Sequence, residues 1–104
     1  MKFTQEDGVS IITMTDPLTG GVAAELSELF SYIGGQDPHK IILNIKLVPY
    51  INSTGLDLLF QEYSPLFYKK FNLEIEQASE DNFAILKLAN FHLIAKISPI
   101  LKKL

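Results

Sequence analysis

The stretch Pro49–Phe60, PYINSTGLDLLF, decides how the rest of the chain is read. The residues before it, Lys40–Val48 (KIILNIKLV), are apolar at six of nine positions, with no strict alternation. That composition fits a central strand covered on both faces. From its second half onward, Leu56, Leu59, Phe60 and Tyr63 recur at helical spacing, which puts them on one expected face. Between strand and helix stand Asn52, Ser53, Thr54 and Gly55. Asn, Ser and Thr are preferred helix caps, because their side-chain oxygens accept bonds from the unpaired first-turn amides. Gly55 permits close packing at such a turn. Capping alone accounts for the three polar residues. The same physics allows a second reading. A helix N-terminus carries free amides and a partial positive charge, so it tolerates an added anion. A serine hydroxyl there can accept a phosphate, which brings about −1.5 to −2 of charge at neutral pH.

On either side of this stretch the pattern alternates strands and helices. Val9–Met14 (VSIITM) is β-branched and apolar, as strands are, and KFTQ before it forms a partner strand through the turn pair Asp7-Gly8. Asp16–Gly21 (DPLTGG) is a loop by its Pro and Gly content. Val22, Leu26, Leu29, Phe30 and Ile33 then recur as on a helix face, and Gly34-Gly35 is expected to stop that helix. Pro65 is expected to kink or end the second helix near Ser64. Leu73–Ala78 (LEIEQA) alternates as a half-buried strand does. Ser79 caps a third helix that offers Phe83, Leu86 and Leu88 for burial. A last strand is expected near Ile94–Ile97, with Pro99 beginning a short helix or ending the order. The order β-β-α-β-α-β-α-β implies an α/β sheet with helices on its parallel crossovers.

Composition excludes several functions. The chain has 104 residues, a length suited to one domain, 1–104. Hydrophobic residues make up 47% and charged residues 20%, the balance of a globular protein. The net charge is −3 and the basic residues are scattered apart from Lys102-Lys103, so nucleic acid is not an expected partner. There is no cysteine, which removes thiol nucleophiles and Cys-based metal sites and suits a reducing cytosol. No apolar run approaches the roughly 18 residues that would cross a bilayer, and MKFTQEDGVS lacks a signal-peptide core. A soluble, cytoplasmic protein without membrane insertion is expected. His39 and His92 lie in unrelated segments with no carboxylate at ligand spacing, and no nucleophile–base pair stands out, so no metal, cofactor or enzymatic role is expected.

The apolar strand followed by VPYINSTGLDLL resembles the STAS domain of anti-sigma factor antagonists, whose pattern runs from an apolar strand into D-S-[ST]-G-[LIV]. VSIITM with the DPLT loop, IILNIKLV, and LEIEQAS with NFAILKLANF match the family's other elements in order, so the resemblance covers most of the chain. It implies a single-domain α/β fold, with a mixed central sheet of four to five strands and about four helices. It implies a bacterial regulator of transcription, not an enzyme, that binds an anti-sigma factor with serine-kinase activity. The phospho-acceptor position falls on Ser53, with Thr54 as second choice. The partner-binding face falls on Asn52, Ser53, Thr54, Gly55, Leu56 and Thr19. The family commonly carries acidic residues where this chain has Asn52, Thr19 and Asn44. Their absence lowers the repulsion that a phosphate would meet, and removes charges by which a typical partner kinase recognises its target. A second implied role is a permanent STAS subunit of a lipid or anion transport assembly or of a stress-sensing complex. There Ser53 would only cap a helix, and Phe67, Tyr68, Phe71 and Phe91 would form a docking patch or fill the core.

Overall fold

The structure, a computed structural model, describes residues 1–100. Its elements are β1 (Lys2–Glu6), β2 (Val9–Thr13), α1 (Ala23–Gln36), β3 (Lys40–Asn44), α2 (Ser53–Tyr68), β4 (Asn72–Ala78), α3 (Glu80–Leu88) and β5 (Lys96–Pro99). Single 3-10 turns cover Gly20–Val22 and Phe91–Leu93. The five strands lie in sequence order, β1-β2-β3-β4-β5, with β1 antiparallel to β2 and every other pairing parallel. This is the expected α/β fold with a mixed sheet. Three α-helices and two 3-10 turns stand for the helices expected.

Asp7 and Gly8 both take positive φ, 51° and 79°, as a two-residue hairpin turn requires. Ser79 caps α3 by accepting a bond from the Asn82 amide, as the sequence indicated. A bulge near Gln77, itself at φ 58°, turns Ala78 into the core.

The core lies on one side of the sheet. Ile12, Ile41, Leu43, Leu73 and Ile75 form one buried cluster with Leu26, Phe30 and Ile33 of α1, Leu59, Tyr63 and Leu66 of α2, and Leu86 of α3. Full burial of one such Leu or Ile is worth about 1.5–3 kcal/mol. The opposite face carries Val9, Ile11, Thr13, Lys40, Ile42, Asn44, Glu74 and Glu76, all only half-buried. The expectation that β3 is covered on both faces is therefore wrong. Its apolar run misled because Ile42 faces the open side, where Glu74 pairs with Lys40 at 3.1 Å and Lys96 at 3.7 Å.

Other boundaries also differ from expectation. The third strand ends at Asn44 instead of Val48, because the Asn44 Oδ1 accepts the Lys46 amide at 3.0 Å and turns the chain. Helix α1 runs through Gly34-Gly35. A Cβ on Gly34 would lie 3.1 Å from Leu66, so this glycine serves the α1–α2 contact, and the helix stops at Asp37 (φ 53°) before Pro38. Helix α2 continues past Pro65 to Tyr68. Pro65 and Gln61 are exposed, so the carbonyl that loses its i+4 donor faces water. Phe60 is 55% exposed, because Gly55, Leu59, Tyr63 and Leu66 define the buried stripe of α2 and Phe60 stands beside it. Leu88, at the end of α3, is exposed as well. The last strand begins at Lys96, because Phe91–Leu93 and Ile94 form and close a 3-10 turn. Pro99 ends that strand, and a helix beyond Ile100 lies outside the described residues. Of the four aromatics, Phe71 and Phe91 are buried, whereas Phe67 and Tyr68 are exposed.

Candidate functional site

Two loops meet at the carboxyl ends of β2 and β3, where parallel α/β sheets offer their crevice. They are joined by a parallel bridge between Leu18 and Ile51. The Leu18 amide donates to the Tyr50 carbonyl at 3.0 Å, and the Asn52 amide donates to the Leu18 carbonyl at 3.2 Å. Leu18 and Ile51 are buried, so the bridge is anchored in the core.

Gly55 is required at this junction. A Cβ there would lie 1.9 Å from the Leu18 carbonyl oxygen and 3.0 Å from the Thr19 nitrogen. The first turn of α2 thus rests on the backbone of the opposite loop. Gly55 is itself buried, and its contribution to the face is spacing. Leu56 is half-buried and packs against the core.

The cap of α2 is Asn52. Its Oδ1 accepts the Gly55 amide at 2.8 Å, and its carbonyl accepts the Leu56 amide at 3.0 Å. Ser53 is the first helical residue and is exposed, as is Thr54. Among the described residues neither hydroxyl has a hydrogen-bond partner, and the amides of Ser53 and Thr54 have none either. These amides supply the free donors and the positive dipole end beside the Ser53 oxygen. Thr54 leans toward the other loop, its methyl 3.3 Å from the position of a Cβ on Gly20. Thr19 is half-buried and caps the Gly20–Val22 turn, its Oγ1 accepting the Gly21 amide at 3.1 Å. Thr19, Asn52, Ser53, Thr54 and Gly55 therefore come together across the bridge. Asn44 does not join them, because its side chain closes the turn after β3.

The structure adds residues that periodicity did not mark. Leu47 and Tyr50 are 60% and 54% exposed in the loop leading to α2. Asp57 is exposed one helical turn beyond Ser53 and leaves one negative charge near it. Leu47, Tyr50 and Phe60 thus add exposed apolar side chains to a loop and helix that also expose Asn52, Ser53, Thr54 and Asp57. The signal for Leu47 and Tyr50 was the Asn44 turn and Pro49, which remove both from the strand. The same loop is pinned from α3, where Asn82, 1% exposed, donates through Nδ2 to the Val48 carbonyl at 3.0 Å. Among the described residues no three His, Asp or Glu side chains converge as metal ligands do, and no helix is long and apolar enough to cross a membrane.

The sequence matches the family model of the STAS domain over residues 1–103. No curated protein matches it. Among solved structures, it is similar to a candidate anti-sigma factor antagonist from Thermotoga maritima, with TM-score 0.83 and 20% identity over 96% of this chain and 86% of that one. A sulfate transporter family protein from Wolinella succinogenes aligns with TM-score 0.79 and 23% identity, over 90% and 79% of the two chains. The anti-sigma factor antagonist SpoIIAA in its unphosphorylated form aligns with TM-score 0.68 and 11% identity, over 97% and 88%. At these identities the likeness is one of fold. The match along nearly the whole sequence goes further: this chain belongs to the STAS domain family.

Proposed function

We propose that residues 1–104 form a cytoplasmic, non-catalytic binding module of the anti-sigma factor antagonist type, whose hold on a partner is switched by phosphorylation of Ser53. The observation that supports this reading is a division of labour at the start of α2. Asn52 performs the capping, and Ser53 is an exposed residue whose hydroxyl has no hydrogen-bond partner among the described residues. A phosphate there adds charge beside the free amides of Ser53 and Thr54 and leaves the fold intact. The partner is an anti-sigma factor with serine-kinase activity. It docks on the face built by Thr19, Asn52, Ser53, Thr54 and the exposed side of α2. Enclosing a phosphate in that interface without a paired cation costs several kcal/mol and releases the partner. The test is incubation with such a kinase and ATP, followed by intact-mass measurement. A gain of one phosphate that Ser53→Ala abolishes is expected. No gain, or a gain that the variant leaves unchanged, overturns the switch.

A second reading has its own support. Leu47 and Tyr50 in the loop before Ser53, and Phe60 about two helical turns after it, are exposed and suit a permanent apolar interface, as in a STAS subunit of a transport or stress-sensing assembly. A complex that co-purifies without ATP, and whose stability Ser53→Ala leaves unchanged, selects this reading over the switch.

A further inference from the structure

The two edges of the sheet are guarded differently. At β5 the pairing to β4 is irregular and the strand ends in Pro99, and both features discourage addition of another strand. The edge at β1 has neither. Lys2–Glu6 pairs with β2 in unbroken register, contains no proline, and exposes four of its five residues.

The hairpin fixes which backbone groups of β1 face outward. In a two-residue hairpin the flanking pair, Glu6 and Val9, exchanges both backbone bonds. Alternation then directs the amides and carbonyls of Thr4 and Lys2 toward β2 as well. Those of Phe3 and Gln5 point away from the sheet. An added antiparallel strand must bond to these two residues.

A second copy of the same strand meets that requirement. With Thr4 opposite Thr4 of the second copy, Phe3 faces Gln5 and Gln5 faces Phe3, and the outward groups exchange four backbone bonds across a two-fold axis. The same register sets Lys2 opposite Glu6, twice by symmetry, in the pairs where side chains lie closest. Sliding the register by two residues pairs either Lys2 or Glu6 with Thr4 and aligns no opposite charges. A lysine on an edge strand ordinarily repels a copy of itself. Here the sequence Lys-Phe-Thr-Gln-Glu is charge-complementary to its own reverse. Along one flank of the edge Phe3 stacks edge-on against half-exposed Tyr32 of α1, at 5.8 Å between ring centroids, which adds apolar surface beside the strand.

We propose that β1 is a self-association edge, and that two copies of this chain pair through it into one continuous sheet of ten strands. The pairing is independent of Ser53 and of the partner read for it. Sedimentation equilibrium of the full chain, at concentrations up to about 1 mM, is expected to show a mass rising to twice 11.7 kDa. Lys2→Glu and Glu6→Lys each set like charges opposite one another and are expected to weaken the dimer roughly tenfold or more. An equimolar mixture of the two variants restores opposite charges at both contacts and is expected to associate again. Gln5→Pro removes an outward amide that β2 does not use and is expected to abolish the dimer while circular dichroism keeps its shape. A wild-type mass fixed at that of one chain overturns the proposal. So does a dimer that both charge reversals leave unchanged, or a mixture that associates no better than its components.

Discussion

Gly55→Ala is expected to cost more than its chemistry suggests. In the interior of a helix, alanine is ordinarily better than glycine by up to about 1 kcal/mol. At this position the new Cβ would sit 1.9 Å from the Leu18 carbonyl oxygen, where ordinary contact begins at 3.4 Å. One of the two segments must therefore retreat by about 1.5 Å. Leu18 is fully buried, and its carbonyl accepts the Asn52 amide, so it cannot yield without loosening the bridge to Ile51. Overpacking of this kind costs about 1–3 kcal/mol. Each bridging bond that is broken adds about 0.5–1.5 kcal/mol. Set against the helix preference, the net loss is about 2–4 kcal/mol, or a fall in Tm of about 10–25 °C for a chain this size. Gly35→Ala is the matched control. It lies in α1 with nothing within 4 Å of a Cβ, so it is expected to stabilise by about 0.5–1 kcal/mol. Urea unfolding followed by circular dichroism measures both. A Gly55→Ala variant within about 1 kcal/mol of wild type would refute the close approach of α2 to the Leu18 loop.

Two further outcomes are expected. Asn52→Ala removes the cap on the Gly55 amide and should lower stability by about 1 kcal/mol, whereas Asn52→Asp should remain within a few tenths; thermal melts of both distinguish a capping role from a purely surface one. Tyr63 is 1% exposed and donates to the Phe71 carbonyl at 2.8 Å, and burial raises its pKa above 10.0. The folded state holds that proton more tightly than the unfolded chain, so this contribution is complete below pH about 10 and is lost as pH rises through the higher folded value. Tyr63→Phe should be less stable at neutral pH by about 1–2 kcal/mol, because the Phe71 carbonyl loses its donor, and its deficit against wild type should shrink in denaturation series above pH about 10. A constant deficit across that range would contradict the assignment.

Where local chemistry decides local shape, the residues announced it. Asp7-Gly8 marked the hairpin because only a few residues accept positive φ at two successive positions. Ser79 marked the start of α3, and INSTGL marked the handover from strand to helix. Boundaries that depend on distant partners were hidden. Gly34 read as a stop but proved to be a contact with Leu66, thirty-two positions away. Pro65 read as a break, yet the carbonyl it deprives faces solvent. The length of KIILNIKLV concealed the end of β3, because apolar character alone does not tell Ile42 on the open face from Leu43 in the core.

The order of elements, the parallel crossovers and the cluster of hydroxyls at the start of α2 were all legible from the residues alone, since periodicity, turn chemistry and capping act over a few neighbouring residues. Long-range packing settled three further points: Asn52 rather than Ser53 caps the helix, Gly55 is held against the Leu18 backbone, and among the described residues no element packs over one face of the sheet or pairs with the outer edge of β1. Those properties belong to pairs of segments far apart in the chain, and they exist only once burial of the shared core has brought the segments together.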